Sequence, residues 1–172
     1  EGAADLGFHS KSNPAMALTK VPVFEERLIG IAPRGHDLGA VGDPVTPERL
    51  AEEKFVAFRG GASRVRSRPT ELVPFTQLVD DWFAAAGVEP RVQFATTSHE
   101  GIKNAVRLSL GVAIVASVAV RRADPSLCAF ELAGAPRRSF VLVHRDSGWR
   151  SAAWRAFVHF VLSNEWMSAE AS

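Results

Sequence analysis

Apolar residues along this chain alternate between short continuous runs and stripes of helical period. Seven runs read as strands, at residues 6–8, 21–24, 28–32, 55–58, 92–95, 112–115 and 140–143. Several are apolar at successive positions, which suits parallel strands covered on both faces by helices. The clearest helix follows Pro74, a residue suited to a first helical position. Phe75, Leu78, Val79, Trp82, Phe83 and Ala86 share one stripe, and Gly87 supplies the stop. In the next helix Thr97 and Glu100 form a capping-box pair ahead of Ile102, Ala105, Val106 and Leu110, and Gly111 closes it. A C-terminal helix places Trp154, Phe157, Val158, Val161 and Leu162 on one face, and aromatics of that size predict firm packing. A shorter helix is expected over residues 47–53.

The strand, turn, helix and strand over residues 92–115 read as a βαβ unit, and the alternation along the chain makes the class α/β. Two polar passages rich in Gly or Pro, residues 33–44 and 132–139, read as crossovers between lobes. The expected layout is therefore discontinuous: residues 1–36 and 138–172 form part of lobe I, residues 37–137 form lobe II, and small ligands would enter a cleft between them.

Composition narrows the function. Twenty Lys and Arg against nineteen Asp and Glu leave a net charge of +1, too balanced for a segment that grips phosphate backbones. The lone Cys128 sits in an apolar stretch without a basic neighbour, so a structural role is expected, and no Cys or His pair has zinc-ligand spacing. Residues 106–120 are apolar but too short for a membrane span and include Arg107. The opening carries no signal-peptide pattern and starts at Glu1, which reads as a piece of a cytoplasmic protein.

Motifs of catalysis and of cofactor binding (nucleophile elbow, metalloprotease helix, Walker loop, dinucleotide-binding glycines) are missing from the sequence, so neither an enzyme nor a cofactor is expected. His9, His36, His99, His144 and His159 are scattered singly and read as surface or packing residues. Three local features suit ligand binding. In RGGASRVRSR, Arg59, Gly60, Gly61, Ser63 and Arg64 follow a strand, joining guanidinium groups to backbone N–H groups able to face an anion; a solvated, salt-bridged loop would look the same. In ATTSHE, Thr97 and Ser98 stand at a helix N-terminus, where a hydroxyl caps the helix and a second is free for a ligand. In FHSKSN, His9 and Ser10 follow an early strand, on a rim that a plain polar turn would also produce.

Taken in order, these segments resemble the effector-binding domain of LysR-type transcriptional regulators. EGAADLGF resembles the family's segment ending in a small-residue strand, and VFEERLIGIAPRGHDLG its hinge strand, with Asp37 where proline is common. VTPERLAEEKFVAF resembles the opening of the second lobe. SHEGIKNAVRLSLGVAIVASVAV resembles its helix, glycine turn and strand, with Val115 and Ala116 in place of a Leu-Pro-like end.

The likeness extends over almost the whole chain. It implies a two-lobed fold like type 2 periplasmic binding proteins, with the start of the first lobe and the DNA-reading domain missing. It also implies a small-molecule effector, DNA contact only through the missing domain, and a homodimer or tetramer of the intact protein in which the helix after Pro74 is a candidate contact. Carried over residue by residue, it adds Arg27 to the candidate ligand residues. The alternative readings are a transport solute-binding protein of the same plan and, behind it, an enzyme.

Overall fold

In the computed structural model the described residues are 5–10, 18–40, 42–59, 75–120, 124–145 and 151–163. They form two compact units, a smaller one of Glu1–Glu25 with Ser139–Ser172 and a larger one of Glu26–Arg138. The chain passes between units inside strands. β2 (Thr19–Pro33) joins the runs at residues 21–24 and 28–32 into one strand of 15 residues, because the intervening Glu-Glu-Arg continues the alternation. Glu26 and Leu28 are buried while Glu25 and Arg27 are exposed. The return passage lies in β7 (Arg137–His144).

In the larger unit β2 pairs antiparallel with β5 (Ala113–Ala116) on one edge and with β6 (Leu127–Phe130) on the other. β3 (Lys54–Phe58) and β4 (Arg91–Thr96) are parallel, in a register that sets Lys54 against Arg91 and Phe58 against Thr96. The expectation that continuous apolar runs suit parallel strands holds for β3 with β4 and is corrected elsewhere: β1–β7, β2–β5 and β2–β6 run antiparallel, and the run in β2 and β5 reflects burial rather than strand direction. α1 (Pro47–Ala51) starts from Thr46, whose hydroxyl accepts from Arg49 N–H. α2 (Phe75–Ala85) buries Phe75, Val79, Trp82 and Phe83 against Phe55 and Ile114, while Ile102, Ala105 and Val106 of α3 (His99–Arg107) cover Ile31, Val56 and Val115.

Glycine stops behave differently at the two helices. Gly87 takes φ +70° after α2, and Val88 N–H donates to Phe83 C=O at 3.2 Å, the expected left-handed cap. After α3 that conformation belongs to Ser109 (φ 57°), so Gly111 is not the stop. Gly111 has φ +153°, and a Cβ there would stand 2.3 Å from the Lys54 carbonyl oxygen. Its lack of a side chain lets Val112 N–H reach Lys54 C=O at 2.8 Å, tying β3 to the run that enters β5.

In the smaller unit β1 (Leu6–Ser10) pairs antiparallel with β7, and Val23, Leu142 and Val161 form a small core. α4 (Ala152–Ser163) packs less than its aromatics suggest. Val161 is buried, but Phe157, Phe160 and Leu162 are 42%, 47% and 41% exposed.

Candidate functional site

One rim of the larger unit gathers the ends of β3 and β4 and the starts of α2 and α3. Arg59 N–H donates to Thr96 C=O at 2.8 Å, which holds the residue after β3 against the end of β4. Thr76 Oγ1 donates to Phe58 C=O at 3.1 Å and ties α2 to the same strand end. The cap of α3 is Ser98, not Thr97: its Oγ accepts from Gly101 N–H at 3.3 Å. Thr96 Oγ1 accepts from Ser98 N–H at 3.3 Å and lies where a side chain at position 101 would collide, 2.5 Å from an added Cβ. Thr97 is thereby left exposed beside the positive end of the α3 dipole.

His99, the first residue of α3, fills the space behind this rim. Its ring stacks on Phe58 at 4.8 Å and meets Phe75 edge-on at 5.7 Å. Its Nδ1 is buried without a hydrogen-bond partner among the described residues. Burial holds the imidazole below its usual pKa; Arg138 and Lys103 push the same way, against Glu26 and Glu100. Glu26, whose side chain is 1% exposed, accepts from Arg138 Nε at 3.0 Å and from its terminal nitrogen as well. An ion pair in which two Arg138 nitrogens share the single Oε2 of the buried Glu26 therefore stands within electrostatic reach of His99. Phe58, Arg59, Phe75 and Thr76 also line a cavity of about 20 Å³ beside the rim, room for one water.

Of the residues expected to bind ligand, Arg59, Thr97 and Ser98 come together at this rim. Gly60, Gly61, Ser63 and Arg64 lie outside the described residues, as does Pro74. His9 and Ser10 belong to β1 of the smaller unit. Arg27 donates to Glu131 at 2.8 Å on the exposed side of β2, one residue from Glu26, whose charge reaches His99. His99, Glu26 and Arg138 were not among the expected site residues. Nothing local marks them, since Glu26 and Arg138 are 112 positions apart and meet only through the fold. Cys128 Sγ donates to Pro33 C=O at 3.3 Å, a structural role as expected. Among the described residues no three His, Cys, Asp or Glu gather to hold a metal, and no helix is long and apolar enough to cross a membrane.

The family described as LysR substrate binding domain matches residues 1–165. The chain belongs to that family. It is 32% identical over 143 residues to the RuBisCO operon transcriptional regulator of Allochromatium vinosum, a match covering 81% of the chain and 43% of the relative. The chain thus spans less than half of that regulator. Among solved structures it resembles the CcmR regulatory domain of Synechocystis PCC6803 in complex with 2-PG, with TM-score 0.74 and 20% identity over 94% of this chain and 73% of that one. The effector binding domain of QuiR in complex with shikimate matches with TM-score 0.66 and 18% identity over 92% and 70%. These likenesses establish the periplasmic-binding-protein-like fold of a LysR effector-binding domain, and the regulator relative sets aside the transport reading.

Proposed function

We propose that this LysR domain senses a small anionic effector held at the start of α3, and that the intact protein is a cytoplasmic transcriptional regulator. The observation that carries the site is the 2.8 Å bond from Arg59 N–H to Thr96 C=O. It brings a guanidinium-bearing residue, with no carboxylate in ion-pair range among the described residues, to the residues that open α3. A helix N-terminus with a free hydroxyl and an adjacent cation is a fitting host for a carboxylate or phosphate. Gly60, Gly61, Ser63 and Arg64, next along the chain, carry the same chemistry, and Arg27 of the same unit is a further candidate.

Among the described residues the rim joins a cation to hydroxyls and N–H groups, with no nucleophile and base in hydrogen-bonding contact, which supports binding without turnover. Effector binding would act by favouring one of the conformations in which the intact regulator, a homodimer or tetramer contacting through α2, holds DNA by a separate domain. The relatives' ligands, 2-PG and shikimate, are both small and oxygen-rich, and they are the first probes to try.

Calorimetric titration with these two and a panel of aromatic and aliphatic carboxylates is expected to give saturable one-to-one binding of at least one member. Arg59→Ala and Ser98→Ala should each weaken it about tenfold or more, the loss of one charge-assisted contact. Undiminished affinity in both variants would move the site elsewhere.

A further inference from the structure

The parallel register of β3 and β4 gives this strand pair two polar edges. Phe58 and Thr96 end the strands at the rim described above, whereas Lys54 and Arg91 begin them together at the other edge, roughly 13 Å away at the usual rise per residue. There the surface sinks into a depression of about 430 Å³, the size of a small-metabolite pocket, lined by Lys54, Arg91, Arg34 and His36. Every one of these residues is described, and the whole depression lies within the larger unit.

Its charges are unevenly matched. Glu52 and Glu53 also line it, but both carboxylates are engaged by Arg49, at 3.1 Å and 2.8 Å. His36 stands 3.7 Å from Glu53, and its Nδ1 accepts from Leu38 N–H, so the ring too is turned to groups already present. Arg34 and Arg91 donate only to neutral carbonyls among the described residues, Pro125 C=O at 3.1 Å and Glu52 C=O at 3.4 Å. Those bonds orient the two guanidinium groups without neutralising them. Lys54 has no carboxylate in ion-pair range among the described residues. Three positive charges from three separate segments therefore converge on one concave surface, and with Arg49, which Glu52 and Glu53 share, four cations stand against two carboxylates, a surplus of two positive charges. The close approach of Gly111 to Lys54 fixes one wall.

We propose that this depression is a second ligand site, distinct from the rim at α3, and that it takes a small multivalent anion, either a phosphate ester or a polycarboxylate. Guanidinium groups held in place by neutral acceptors are suited to bidentate contact with such oxygens, and the ammonium group adds a point charge. The proposal is independent of the effector reading, because the residues of the two sites do not overlap.

The test is calorimetric titration of the full 172-residue chain with inorganic pyrophosphate and, separately, with citrate, at low and at moderate salt. Saturable one-to-one binding of either probe is expected, surviving at moderate salt. It should weaken tenfold or more in Arg34→Ala and in Arg91→Ala and stay unchanged in Arg59→Ala and Ser98→Ala. Pyrophosphate alone binding assigns a phosphate ester, citrate alone a polycarboxylate, and both together a site that reads charge. All of the changed side chains are exposed, so circular dichroism should show intact folding. Two results overturn the proposal: heats without saturation that vanish with salt, or binding lost in Ser98→Ala and retained in Arg91→Ala.

Discussion

Removing either partner of the Glu26–Arg138 pair should destabilise the domain, but unequally. The Glu26 side chain is 1% exposed and that of Arg138 24%. Arg138→Ala leaves a carboxylate buried without its cation, a change that costs about 3–5 kcal/mol. Glu26→Gln keeps an oxygen facing Arg138, whose charge has partial access to water, so about 1–2 kcal/mol is expected. Against a total of about 5–15 kcal/mol for a domain, the first variant is close to unfolding and the second is not.

Urea denaturation at pH 7 and pH 5 measures both. Arg138 is among the charges that push the His99 pKa down in the fold, so its loss removes part of the destabilisation that protonating His99 brings as pH falls. The deficit of Arg138→Ala should therefore narrow at pH 5. If Glu26→Gln proves equally costly, or the deficit does not change with pH, the pair is not the buried contact described here.

Three further outcomes follow from single contacts. The His99 pKa is lowered in the fold, chiefly by burial, so the folded state resists protonating it and stability should decline as pH drops below the unfolded value near 6.5; His99→Phe, which keeps the stacking on Phe58 and removes the orphan Nδ1, should flatten thermal stability between pH 7 and 5, and an unchanged slope would refute this. Gly111→Ala should cost about 2–5 kcal/mol, combining backbone strain at φ +153° with disruption of the bond to Lys54 C=O, as read by thermal unfolding. Trp82→Phe removes the 2.9 Å bond from Nε1 to Ala133 C=O and some buried area, a loss of about 1–2 kcal/mol by the same measurement.

Elements whose signal is local were legible in the sequence. Of the α2 stripe, Phe75, Val79, Trp82 and Phe83 are buried and Leu78 and Ala86 half-buried, because residues three and four apart share a helix face whatever the rest of the chain does. β6 escaped notice because LCAF is four residues long, and what makes it a strand is its pairing with residues 30–33, nearly a hundred positions upstream. The cap of α3 shows the limit at single-residue scale. Thr97 with Glu100 and Ser98 with Gly101 are both acceptable starts by spacing, but the space left by the missing side chain of Gly101 admits Thr96 Oγ1 and selects the second.

The same limit governs function. A polar loop after a strand is visible as a binding candidate, as at Arg59, Thr97 and Ser98. Which edge of the sheet a residue reaches depends on strand direction, and periodicity does not encode direction. Because β3 and β4 run parallel, their first residues are neighbours as surely as their last. Lys54 and Arg91, separated along the chain by a helix, thus become one cationic surface, for the same topological reason that Arg59 and Ser98 share the opposite edge.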